Sequence, residues 1–171
     1  MSSYHSYEFI TSSWKQEEFS DYVRYANPHN SEVNIAVGKK AKMGNGILIM
    51  PGTIIYNAHI GDSCIISSNV IIEDDVRVND DVKIGANVHL GERVEIGNSV
   101  SIENDVSIGE NTTVISNLKI PYGMIIEPDL VVVRNPIVGR VHNYSTWEIE
   151  EYLEYLHLLK NQGSPYVKKP N

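Results

Sequence analysis

Stepping by six from Ile60 gives Ile66, Ile72, Val78, Ile84, Leu90, Ile96, Ile102, Ile108, Val114, Ile120 and Ile126, an unbroken aliphatic series. The place four residues after each is also restricted: Cys64, Val70, Val76, Val82, Val88, Val94, Val100, Val106, Thr112, Leu118, Met124 and Leu130. Glycine often follows the aliphatic residue, as at Gly61, Gly85, Gly91, Gly97 and Gly109. A period of six fits neither a straight helix nor a hairpin. It fits a coil of three short strands joined by tight turns, so that strands eighteen residues apart stack.

Side chains alternate along a strand, which points the fifth and first places of each phrase inward and the sixth outward. Gly, Asn and Asp at the second to fourth places supply the backbone freedom of the corners. Coils stacked about 4.8 Å apart join their aliphatic residues into one interior that a single coil has no means to bury. The expected fold is therefore an all-β parallel helix of about five coils over residues 37–133. Upstream, Val37, Met43 and Ile49 keep the step, but Ile49, Ile54 and Ile60 leave it one residue short. An altered corner is expected between about Pro51 and His59, either a pointer to function or an interface, or a harmless indel in a turn.

Flanking segments complete the organisation: a capping segment, 1–36, and a linker, helix and tail, 134–171. Residues 12–26, SSWKQEEFSDYVRYA, read as a short amphipathic helix with a serine N-cap and Pro28 as its stop. Residues 145–161 carry Ser145 and Glu148 as a capping box, then Ile149, Tyr152, Leu153, Leu156 and Leu159 at helical spacing. Both helices are expected to cover the ends of the stack or clasp a neighbouring subunit, with the tail GSPYVKKPN loosely held.

The chain has 171 residues and an acidic balance, 22 Asp and Glu against 14 Lys and Arg, with no basic block interleaved with aromatics. No nucleic-acid partner is expected. One cysteine, Cys64, excludes an intramolecular disulfide framework and a CxxC metal knuckle. With no leader-like N-terminus and no apolar run near the ~20 residues that span a bilayer, a cytoplasmic protein without membrane contact is expected.

Phrases of the form Ile-Gly-x-x-Val-x over about ninety residues resemble those of the hexapeptide-repeat acyltransferases. The resemblance implies a left-handed parallel β-helix, a homotrimer, and transfer from acetyl-CoA or another acyl-CoA to an amine or hydroxyl, with a histidine base. The run KMGNGILIMPGTIIYNAHIGDSCIISSNVIIEDDVRVNDDVKIG is most similar to the nucleotide-sugar and sialic-acid acetyltransferase branch, which implies a sugar acceptor. That branch carries a Rossmann-like N-terminal domain, for which the residues before the repeat hold no G-x-G-x-x-G. Its catalytic histidine occupies a phrase matched here by Ile72-Glu73-Asp74-Asp75, so Asp74 stands at the base position, and Lys83 stands where the branch has a second histidine.

Asp74 is read two ways. It is a substitute base or orienter, or it is a turn residue like those of the similarly placed pair Asp80-Asp81. The histidines at outward sixth places, His59 and His89, are the remaining candidate bases, on different faces of one subunit, with surface or interface histidines as the plainer alternative. Lys83, Ser101 and Lys119 share a face and suit CoA phosphates, or are solvated surface groups. The histidine spacings do not reproduce the three-histidine zinc site of the related γ-type carbonic anhydrases, so no metal is expected. Outward Ile65, Ile71, Ile125 and Val131 point to covered surfaces, either a trimer interface or docked terminal helices. Two functions remain open: an acyltransferase acting on a sugar or nucleotide-sugar, and a non-catalytic trimeric scaffold or binding protein that has lost its base.

Overall fold

Each phrase turns at its second to fifth places, where the fourth takes a left-handed backbone, the requirement of a type II turn's second central residue. Eleven described non-glycine residues have this conformation, all with φ between 57° and 67°, and eight of them are Asn or Asp, the side chains that tolerate it best. Asp75 (φ 61°) and Asp81 (φ 59°) are two of the eight. The recurrence of the aspartate pairs is in this respect a backbone requirement.

The computed structural model describes residues 14–26, 34–136, 153 and 163–170. From Asn34 the chain winds as a parallel solenoid of about five coils with three faces. The first face stacks Asn34–Gly38, Ile54–Ile55, Ile71–Ile72, His89–Leu90, Ser107–Ile108 and Ile125–Ile126. A second face stacks Lys42–Met43, His59–Ile60, Arg77–Val78, Glu95–Ile96, Thr113–Val114 and Leu130–Val132. The third stacks Leu48–Ile49, Ile65–Ile66, Lys83–Ile84, Ser101–Ile102 and Lys119–Ile120. Aliphatic first and fifth places fill the interior; Ile66, Val76, Ile84, Leu90, Val94 and Ile96 are all within 1% of full burial. Each such side chain contributes roughly 1.5–3 kcal/mol relative to exposure. The polar inward residues are satisfied: Thr53 Oγ1 donates to Ser67 O at 2.7 Å and Thr112 Oγ1 to Glu127 O at 2.8 Å.

Between coils the chain runs against itself. A Cβ added at Gly97 would lie 2.5 Å from the Ser116 nitrogen, which is why glycine follows the aliphatic residue there. Third-place side chains form a second ladder along the corners. Ser116 Oγ accepts the Asn98 N–H (2.9 Å), Asn98 Oδ1 that of Asp80 (3.0 Å), Asp80 Oδ1 that of Asp62 (2.8 Å), and Asp62 Oδ1 that of Asn45 (2.8 Å). These bonds satisfy corner amides that the sheets leave unpaired.

The shortened phrase lies within the expected stretch but one strand later than the sequence reading put it. Ile55, not Ile54, points inward, with Ile54 38% exposed. The missing residue is at the next corner, where Ala58 N–H bonds to Tyr56 O at 2.9 Å in a three-residue turn. The tighter corner leaves room inward only for Ala58, which is fully buried. Strand pairs spanning it are seventeen residues apart, as in Lys42 with His59 and Ile54 with Ile71, whereas Arg77 with Glu95 keeps eighteen.

The N-terminal helix is overturned. Residues 14–26 instead hold β1 (Lys15–Glu18) and β2 (Tyr22–Ala26), an antiparallel hairpin that pairs through β2 with β3 (Asn34–Gly38) and extends the first face. The apolar residues also fit a period of two: Val23 and Tyr25 are buried while Tyr22, Arg24 and Ala26 are not. A ready sheet edge at β3 rewards that period over the helical one. Phe19 stacks on Tyr22 (centroids 4.6 Å apart), and Arg24 bonds to Glu17 at 2.6 Å. The helix expected over 145–161 lies outside the described residues except for Leu153, which is exposed.

The tail is not loose. Tyr166–Lys168 pairs antiparallel with Leu130–Val132, and Val133 N–H bonds to Pro165 O at 2.7 Å. This strand covers Val131 through Val167, whereas Ile65, Ile71 and Ile125 remain exposed.

Candidate functional site

Outward sixth places form one column of side chains per face, and the candidate residues fall into all three. His89 is on the first face, between Ile71 and Ser107. Its Nε2 lies 3.0 Å from Glu73 Oε1, with the His and Glu side chains 46% and 30% exposed. A carboxylate at that distance orients the imidazole and leaves its other ring nitrogen to face a ligand. Glu73 was not singled out from the sequence. The signal was present as a separation of sixteen, which is one coil less two residues and makes the two side chains diagonal neighbours on one face.

Asp74 sits at the corner between the first and second faces. Its Oδ1 accepts the Asn57 N–H at 3.0 Å, the same duty that Asp80 performs for Asp62. This geometry makes Asp74 part of the corner ladder. No hydrogen bond joins any two of His59, Asp74 and His89.

His59 follows the shortened corner on the second face, with Lys42 one rung below and Arg77 one rung above. The three line an open groove of about 310 Å³, whose wall also includes Asn79, Asp80 and Asn98.

Lys83, Ser101 and Lys119 occupy successive rungs of the third face. Lys83 and Ser101 line a groove of about 380 Å³ with Ile65, Glu103, Asn104 and Tyr122. Lys119 is engaged: its Nζ lies 2.9 Å from Glu103 Oε1, and Glu103 Oε2 accepts the Tyr122 N–H at 2.8 Å. The Lys119 hydrogen bond, with help from the Tyr122 amide, holds the Glu103 carboxyl below its ordinary range.

Cys64 is not a candidate nucleophile. Burial, reinforced by Asp80, Asp81 and Asp62, pushes its thiol up to about 11, so the thiolate is scarce near neutral pH. Among the described residues no three His, Cys, Asp or Glu side chains converge as a metal site, and no helix is long and apolar enough to cross a membrane.

Residues 57–91 match the family model described as bacterial transferase hexapeptide (six repeats). No curated protein matches the chain. Similar solved structures include a variant of perosamine N-acetyltransferase from Caulobacter crescentus with CoA and GDP-perosamine, 24% identical over 57% of this chain and 49% of that one, with a TM-score of 0.31. A hexapeptide transferase family protein from Anaplasma phagocytophilum is 16% identical over 75% and 89%, TM-score 0.44. The acetyltransferase domain of PglB from Neisseria gonorrhoeae, with acetyl coenzyme A, is 18% identical over 57% and 53%, TM-score 0.28. The chain spans about half the length of the Caulobacter protein. Over residues 57–91, in the lower and middle coils of the solenoid, the six-residue phrases match the bacterial transferase hexapeptide.

Proposed function

We propose that this chain is an acyl-CoA-dependent transferase, acetyl-CoA being the donor, that acylates an amino or hydroxyl group of a sugar or nucleotide-sugar. The observation that carries the reading is the pair His89–Glu73 at 3.0 Å on an outward face of a transferase-type repeat. His89 takes the acceptor proton as general base, and Glu73 fixes its ring and steadies the imidazolium that forms. Lys83 and Ser101 line the groove assigned to CoA; the sugar class of acceptor follows the sequence resemblance. With acyl-CoA in an intersubunit cleft, the first face of one copy and the third face of the next hold donor and acceptor together, which supplies much of the remaining rate enhancement. In this reading the coil is left-handed and three copies assemble in the cytoplasm, burying exposed Ile54, Ile65 and Ile71.

A second reading has its own observation. Asp74, at the position matched to the family's base, is spent on the Asn57 amide, as in a scaffold that kept the repeat and lost the chemistry. Thiol release from acetyl-CoA with a panel of amino sugars and sugar alcohols decides between them. The enzyme reading expects turnover that falls about 10²–10⁴-fold in His89→Ala and less steeply in Glu73→Gln. Absence of both CoA binding and thiol release leaves the scaffold.

A further inference from the structure

The two grooves differ in their free charge. On the third face Lys119 is neutralised by Glu103, which leaves Lys83 as the one cation of its column without a described ion pair. On the second face Lys42, His59 and Arg77 stand on three successive rungs. Among the described residues none of the three makes an ion pair, although Glu95 occupies the rung above Arg77. Asp80, at the wall of the groove, directs Oδ1 to the Asp62 amide. Successive rungs lie about 4.8 Å apart, so the column sets the cations of Lys42 and Arg77 two rungs apart, with His59 between them, on a chain whose net charge is −8. An anion seated between them relieves their repulsion and accepts several charge-assisted hydrogen bonds at once.

We propose that Lys42, His59 and Arg77 form a binding site for a phosphate group. Arg77 supplies a planar two-pronged donor, Lys42 a point charge from the opposite end, and His59 a ring N–H between them. Asn79 adds an amide at the wall, and the open groove of about 310 Å³ admits a phosphate carried on a larger molecule. His59 is thereby a ligand-binding residue and not a base. The inference is independent of the acyltransferase reading, because it concerns the phosphate and not the transfer; a protein that binds phosphate here and lacks transferase activity would satisfy it.

Isothermal titration of the full chain with inorganic pyrophosphate tests it, with Arg77→Ala, Lys42→Ala and, as a basic-surface control, Lys39→Ala. Saturable binding that weakens about tenfold or more in Arg77→Ala and Lys42→Ala, unchanged in Lys39→Ala and weakening with added salt, is the expected result. Thermal melts check that each variant remains folded. Adenosine 3′,5′-bisphosphate and uridine diphosphate then identify the carrier, since the one that binds more tightly and loses most in Arg77→Ala shares chemistry with the natural ligand. Absence of binding by all three probes, or binding that the Arg77 and Lys42 substitutions leave intact, overturns the proposal.

Discussion

The middle coils and the two ends of the stack obey different rules. From Arg77 to Ile126 every strand meets its neighbour eighteen residues away, every inward place but the partly buried Leu118 is sealed, and corners repeat the same left-handed turn. At the ends, antiparallel strands replace the parallel ones: β2 on β3 below, and Tyr166–Lys168 on Leu130–Val132 above. Repetition stabilises the middle because each coil is covered by two like itself. An end coil has one such neighbour, and its free backbone edge recruits whatever chain lies nearby.

The sharpest way to break this contrast is to remove equal kinds of core contact in both regions. Val82→Ala, in the middle and fully buried, is expected to cost about 3 kcal/mol of unfolding free energy. Val23→Ala, in the terminal hairpin and 5% exposed, is expected to cost about 1–2 kcal/mol and to leave the coil intact. Denaturant unfolding followed by circular dichroism checks both. Equal losses would mean that the hairpin is as integral to the stack as a coil.

A smaller effect tests the corners. Arg93 is the odd member among the left-handed corner residues, with φ 61°. Arg93→Gly is expected to stabilise the protein by up to about 1 kcal/mol, less whatever its contacts with Glu92 and Glu110 contribute. Asn87→Ala, at φ 60°, is expected to cost about 1 kcal/mol in the opposite direction. Thermal melts read both signs.

The smallest effect is a titration on the third face. The Glu103 carboxyl is lowered from 4.5 in the folded state, so the stabilisation from Lys119 and the Tyr122 amide is fully present above that value. It is lost as pH falls through the lower, folded value. Glu103 is half-exposed and its partner Lys119 exposed, so the pair is solvent-screened and the melting temperature of Glu103→Gln should lie slightly below that of the parent at pH 6. The two should begin to converge as pH falls below 4.5 and coincide below the lowered folded value, in melts across that range.

The period of six made the coil legible, because only inward aliphatics and tight corners satisfy it and each phrase repeats the evidence. The outward columns were partly legible. Outward places name His59, His89, Lys83, Ser101 and Lys119, but the partners of His89 and Lys119 were not visible. Glu73 reaches His89 diagonally between adjacent coils, and Glu103 captures Lys119 at the same separation of sixteen. Residues 14–26 misled because Trp14, Phe19, Tyr22 and Val23 satisfy a helical stripe as well as a hairpin with Val23 and Tyr25 buried. The choice was made by a strand edge with hydrogen bonds to give.

By itself, the sequence determined the solenoid, its inward residues and the recurrence of the aspartate pairs, since these follow from a local period and the backbone demands of a turn. Only the tertiary structure decided which corner absorbs the missing residue, which strands close the ends and which outward charges are paired. Those outcomes depend on contacts between coils. A residue's partners there are set by stacking geometry across sixteen to eighteen positions, a distance over which local sequence exerts no preference.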